Sequence, residues 1–332
     1  MKKSCNQNQM LAVNALSTIK PVKPSVSGIA IYVCMFLFLS SGVGAADKLP
    51  VFVSIAPQQY FVQQIGKALV DVEVMIPAGA DPHIYEPKPR QMVALSGARL
   101  YFAIGVQPFE KILLKKIAAA HPNLRVIHTD QGIQKIPMAA HGHSGDDNHP
   151  DEAESPEKGR REEGTEQREG GELDPHIWLS PPLVRQQVQT MLNALVETDP
   201  GNRSAYEANY RLFVSELMAL DAELENLFAG KQGLQFMVLH PAWGYFAQTY
   251  GLKQVPVEIE GKDPKPAQLK ELIEHAKQKQ IKIIFVQPQF SPRSAQLVAK
   301  EIGGQVVFAD PLAAGWSDNL REVARKFETA LK

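Results

Sequence analysis

The chain has 332 residues, with 35 basic and 36 acidic side chains, nine histidines and two cysteines. So even a balance, with no basic stripe, excludes a nucleic-acid-binding surface. Both cysteines, Cys5 and Cys34, precede Ala46, so the rest of the chain has no disulfide and no thiolate, and any metal site must use His, Asp or Glu.

At the N-terminus Lys2, Lys3, Lys20 and Lys23 precede an apolar run from Gly28 to Leu39 and then Ser-Ser-Gly-Val-Gly-Ala-Ala. A basic region, a short hydrophobic segment and small residues predict a secretory signal, residues 1–46, cut after Ala46. The run is shorter than the ~20 residues that span a bilayer, and Cys34 lies inside it, where lipid attachment is not expected. Cleavage would leave 31 basic against 36 acidic residues. The mature protein is expected to be soluble, monomeric and periplasmic.

From Leu49 onward β-rich runs alternate with helical ones. Val51–Ile55, Asp71–Ile76, Arg99–Ile104 and Leu124–Ile127 read as strands, and Gln58–Leu69 and Pro89–Ser96 as helices. A second series begins at Gln235, with strands Gln235–Leu239, Gln254–Ile259, Ile281–Val286 and Val306–Ala309, and closes on a helix from about Ser317 to Leu331. Strands alternating with helices imply βαβ units, hence an α/β fold of two lobes with parallel sheets flanked by helices.

Two segments interrupt this order. Between Met138 and Leu173 there is no large apolar residue, and from His141 to Leu173 there are eleven acids, four bases and the histidines His141, His143 and His149. With so little to bury, residues 139–172 are expected to form a disordered loop. Further on, Tyr206, Tyr210, Phe213, Leu217, Leu220, Leu224 and Leu227 follow one another at spacings of three and four. This single apolar stripe fits an ordinary helix packed on one lobe, or a strut spanning both.

The strongest internal signal is a repeated phrase. Asp81-Pro-His83-Ile-Tyr85-Glu-Pro87 recurs as Asp174-Pro-His176-Ile-Trp178-Leu-Ser-Pro181. Residues just beyond strand ends line the ligand crevice of parallel α/β sheets, so the repeat offers the same imidazole twice, each with an aromatic ring to wall off solvent. Turn histidines capping nearby helices are the plainer alternative. His240, in His-Pro-Ala-Trp-Gly-Tyr-Phe, stands at the equivalent strand end of the second series, and Asp310-Pro311 follows the last strand. Alone, Asp310 reads as a helix cap. Together, three imidazoles and a carboxylate suit a closed tetrahedral zinc shell, whereas manganese prefers more oxygen.

Those four phrases resemble the substrate-binding proteins of metal-specific ABC importers, which capture zinc or manganese. The resemblance runs from about Val51 to the last helix, broken only by the charged loop. It implies an N-terminal lobe (47–201), one long rigid linker helix (202–229), a C-terminal lobe (230–332) and a metal site in the interlobe cleft. His83, His176, His240 and Asp310 fall where that family places its ligands, and a histidine at the third position is similar to the zinc branch. Zn2+ is then the transported ligand and a membrane permease of an ABC importer the partner. His141, His143 and His149, with Asp146 and Asp147, would form an auxiliary, weak zinc collector; a solvated insertion with no role explains them too. Val286-Gln287-Pro288-Gln289-Phe290 has glutamine where relatives often carry glutamate, which bears on a contact beside the expected ligands.

Three rivals remain open at this point. A zinc hydrolase would need a water-bearing position and a general base, but no His-Glu-x-x-His motif or evident nucleophile occurs, and helix capping explains Glu86 as well. Manganese or iron on the same fold is the second. A surface adhesin is the third, with no positive feature. The expectation is a binding protein and not an enzyme.

Overall fold

The computed structural model describes residues 47–331 apart from 83, 106–109, 111–112, 115–116, 118–120, 139–172 and 260–261. The expected signal segment, His83, and the charged insertion with His141, His143 and His149 lie outside the described residues. Among the described residues no helix is long and apolar enough to cross a membrane.

Two four-stranded parallel sheets are laid down by the same chain path. β1 (Leu49–Val53), β2 (Val70–Val74), β3 (Leu100–Ala103) and β4 (Arg125–His128) take the order β2-β1-β3-β4. β5 (Gln235–Val238), β6 (Lys253–Pro256), β7 (Ile283–Val286) and β8 (Gln305–Phe308) take the order β6-β5-β7-β8. The central strands β1 and β3 are buried nearly throughout, as near-continuous apolar runs covered on both faces must be. The edge strand β2 alternates, with Val70 and Val72 inward and Asp71 and Glu73 in solvent.

All eight expected strands are present, with ends displaced by at most three residues. The largest displacement is informative. β6 ends at Pro256 and not at Ile259, because the chain bends there, although Val257 and Glu258 still donate to the carbonyls of Val238 and Leu239 at 2.7 and 3.0 Å. That bend carries Glu258 past the end of β5.

The helices whose bounds lie among the described residues are α1 (Ala56–Gly66), α2 (Pro89–Ser96), α3 (Pro181–Thr198), α4 (Arg203–Leu227), α5 (Gly244–Thr249), α6 (Pro266–Gln278), α7 (Arg293–Glu301) and α8 (Trp316–Ala330). Proline in the first turn starts α1, α2, α3 and α6, where its missing N–H costs nothing. The helix expected over 58–69 stops at Gly66, because Lys67 turns to φ 46° and the last three residues tighten into a 3-10 turn.

α4 has 25 residues, so it is ~37 Å long. The expected stripe is its buried face: Tyr206, Phe213, Leu217, Leu220 and Leu224 are all at most 2% exposed. It packs on α1 and α3 beside the first sheet and on α8 beside the second. Asn209 donates to the Ile65 carbonyl at 2.9 Å, and Glu223 pairs with Arg321 of α8 at 2.8 Å. Of the two readings of the stripe, a strut touching both halves is the one observed.

The lobes also share a core. One buried apolar cluster runs from the first sheet through α4 to Phe236 and Phe285 of the second. Trp316, at the start of α8, meets Phe61 edge-on at 5.0 Å, and Phe327, further along α8, stacks on Phe236 at 4.4 Å. A second, smaller cluster fills the outer side of the C-terminal sheet beneath α6 and α7.

Candidate metal centre at the carboxyl ends of the two sheets

His176 opens a single 3-10 turn (Ile177–Leu179) ahead of α3 and is 5% exposed. One oxygen of Asp174, Oδ1, accepts both its backbone N–H at 2.8 Å and its ring Nδ1–H at 2.7 Å. With Nδ1 committed to a carboxylate, the lone pair of the neutral ring sits on Nε2, the arrangement by which an outer carboxylate orients a metal-ligating histidine. Trp178 lies 5.1 Å from this ring, and its indole N–H reaches across to the Pro311 carbonyl at 2.7 Å.

His240 follows β5 and is 4% exposed. Gln287, beyond β7, donates to its carbonyl at 2.7 Å, and Glu258 Oε2 lies 3.0 Å from its Nδ1. The ring stacks on Phe290 at 5.0 Å. Two different lobes have thus produced one device, an imidazole held at Nδ1 by a carboxylate and backed by an aromatic ring.

The two imidazoles face one another with centroids 5.5 Å apart and planes at 70°. Two ligands at ~2.0–2.1 Å from a tetrahedral ion would place ring centres ~5.2 Å apart. Between them lies a cavity of about 20 Å³ lined by residues including Pro82, His176, Trp178, His240, Gln289 and Phe290, room for one water-sized particle. Pro311 and Leu312, the neighbours of Asp310, also line it. Asp310 Oδ1 accepts the Leu312 N–H at 2.9 Å and Gln289 Nε2–H at 2.8 Å.

The described members of the expected set are therefore distributed as follows. His176 and His240 are brought together, and Asp310, which is not itself among the cavity-lining residues, is bonded to Gln289, which is. Among the described residues no three of His, Cys, Asp and Glu form a group able to hold a metal. The chain reaches the cavity at Pro82, the residue before His83.

Pro137 and Leu173 form an antiparallel bridge, and Asp174 N–H donates to the Ile136 carbonyl at 2.9 Å. Tyr245, from α5 of the other lobe, accepts from Ile136 N–H at 3.2 Å and donates to the Asp174 carbonyl at 3.0 Å. Burial pushes the Tyr245 phenol up to about 12; the Ile136 N–H opposes that, and the charges of Asp174 and Asp130 add to it. The group is a neutral donor at any physiological pH. Gly244 packs so tightly here that a Cβ would lie 2.5 Å from Asp174 Oδ2.

Sequence reasoning missed Asp174, Glu258 and Tyr245 as site-shaping residues, and it marked the segment Gln287–Phe290 only as bearing on a contact beside the ligands, without the bonds that Gln287 and Gln289 make. Asp174 was findable, since Asp is as much a part of the repeated phrase as His. Glu258 carried no local signal, because only the β5–β6 pairing sets it beside His240.

Comparison with known proteins agrees with this architecture. The family model described as zinc-uptake complex component A, periplasmic, matches residues 51–330. The high-affinity zinc uptake system protein ZnuA of Bacillus subtilis (strain 168) is 29% identical over 292 residues, 84% of this chain and 86% of that protein. A crystal structure of ZnuA is similar at TM-score 0.74 and 41% identity, covering 86% of this chain and 100% of that one. A ZnuA lacking 138–173, with zinc bound, matches at the same TM-score and identity, covering 86% and 99%.

Proposed function

The chain belongs to the periplasmic zinc-uptake component A family, and from that premise we propose that it captures a zinc ion outside the cytoplasm and delivers it to the permease of an ABC-type importer. The observation that carries the reading is the pair His176 and His240, each tethered at Nδ1 by a buried or part-buried carboxylate and turned toward one ion-sized cavity. His83, one residue beyond Pro82, supplies the third imidazole, and Asp310 the fourth, oxygen donor. Nitrogen-rich, four-coordinate ligation favours zinc over manganese.

Capture requires no bond-making chemistry from the protein. The neutral imidazoles and the carboxylate replace the ion's water shell, and Trp178 and Phe290 keep bulk solvent from the rings. Because one apolar core and α4 join the lobes, loading involves small shifts of loops at the sheet ends and not a wide hinge closure. The permease must then loosen the shell to extract the ion. Residues 1–46 act as a cleaved export signal, the mature protein works as a monomer, and His141, His143 and His149 collect zinc weakly and raise its local concentration.

Calorimetric titration of the chelator-stripped protein with zinc, alone and after saturation with manganese, tests this reading. One tight zinc site undisturbed by manganese, and retained when residues 141–172 are deleted, is the expected result. Loss of tight binding with that deletion, or displacement by manganese, would overturn it.

A further inference from the structure

The loop Gln287–Pro292 after β7 has one residue whose bonding is incomplete. Gln289 lines the cavity between His176 and His240, and its Nε2–H donates to Asp310 Oδ1 at 2.8 Å. A carboxylate can only accept, so this bond sets the amide's orientation: nitrogen toward Asp310, oxygen away from it. That oxygen, Oε1, is buried and has no hydrogen-bond partner among the described residues. Asp310 Oδ1 is occupied a second time by the Leu312 N–H at 2.9 Å, and the Asp310 carbonyl is held by Asn319 at 2.7 Å. Oδ2 receives no hydrogen bond from a described residue.

Resting on the site proposed above, we infer that Gln289 is a specificity-determining residue that holds Asp310 to a single-oxygen approach to the ion. With Oδ1 tied by two N–H donors, only Oδ2 is available, and three imidazoles plus one oxygen make the four-coordinate shell that zinc accepts. Manganese takes a larger, oxygen-rich shell, which here would call for both carboxylate oxygens, so the amide withholds the donor that manganese most needs. The Gln289 Oε1 dipole, with no competing partner, leaves partial negative charge beside the cavity and so favours a cation of either kind. Discrimination therefore comes from the Nε2–Asp310 bond.

The test uses Gln289→Leu, which removes the donor at similar size, and Gln289→Glu, which keeps the shape but cannot donate when ionised. Each is titrated with zinc and with manganese, and each is loaded with cobalt(II), whose visible bands are strong in four-coordinate sites and weak in six-coordinate ones. Both variants are expected to lose roughly tenfold in zinc affinity, the usual scale for an outer-shell partner, to gain or hold manganese affinity, and to weaken the cobalt bands. Unchanged zinc-to-manganese ratios and cobalt spectra in both would show Gln289 to be packing only. His176→Ala and His240→Ala serve as separate controls: if these retain tight zinc, the site itself is misassigned and the inference falls with it.

Discussion

Asp174 holds His176 twice with one oxygen, at the backbone N–H and at the ring Nδ1. This chelate leaves the imidazole no freedom to turn, so Nε2 is aimed before any ion arrives. Within the other lobe, Glu258 fixes the His240 ring by a single bond of 3.0 Å. Pre-aimed ligands spare an incoming ion the entropy of ordering them.

Removing the charge of either carboxylate while keeping its shape separates orientation from basicity. Asp174→Asn and Glu258→Gln should each weaken zinc binding by roughly 10–100-fold, with Asp174→Asn the larger because two bonds to one oxygen lose the help of its charge. Competition titration against a zinc chelator reads the change. An unaltered affinity in both variants would mean that the tethers do not contribute to binding.

Gly244 and Tyr245 bear on the same aspartate from the opposite lobe. Gly244→Ala places a methyl 2.5 Å from Asp174 Oδ2, so the carboxylate must move and zinc affinity should fall. Tyr245→Phe removes the hydroxyl bonded to Ile136 and Asp174 and should cost about 1–2 kcal/mol of stability. Chemical denaturation of the apo protein alongside zinc titration distinguishes the two expected patterns.

Glu110 supplies a pH signature independent of metal. It is buried, accepts N–H bonds from Ile104 and Gly105 at 2.8 and 2.7 Å, and is also bonded to Ser54. Burial raises its carboxyl pKa, and those hydrogen bonds and the charge of His128 oppose the rise without cancelling it. A raised carboxyl pKa means the folded state binds the proton more tightly than the unfolded one. The resulting stability is fully present below the ordinary glutamate value of about 4.3 and is lost as pH rises through the folded value. Glu110→Gln should flatten that slope in denaturation curves taken from pH 4 to 7, while lowering stability because an amide N–H now meets a backbone N–H. A slope unchanged by the substitution would assign it to other groups.

The strut can be tested by truncation. Phe213 of α4 is 2% exposed and meets Phe61 at 6.2 Å, so Phe213→Ala should destabilise the protein by about 3–5 kcal/mol. Zinc affinity at temperatures well below unfolding should change little, since the ring contacts of Phe213 are with Tyr60 and Phe61 of α1. Thermal unfolding with and without zinc measures both.

Much of this was legible in the sequence because it depends on local pattern. Alternation of apolar runs located all eight strands, the spacing of three and four from Tyr206 to Leu227 located α4, and the repeated Asp-Pro-His phrase, with His240 and Asp310 after strand ends, marked the places where a parallel sheet gathers ligands. Strand ends were less legible, since the hydrophobic run of Gln254–Ile259 continues past the point where the chain leaves the sheet.

What the sequence by itself determined was the inventory: no thiolate beyond residue 46, histidines in a repeated phrase and after a strand end, an aspartate after the last strand, and two α/β units. Only the tertiary structure decided how those groups are held. Glu258 lies 18 residues from His240, and Gln289 21 from Asp310, so nothing in the local pattern relates them. Their meeting depends on strand pairing in the second sheet, and the approach of Tyr245 to Asp174 depends on a core shared by both lobes. Periodicity reports which face a residue takes within its own element; which residues from other elements come to face it is set by packing.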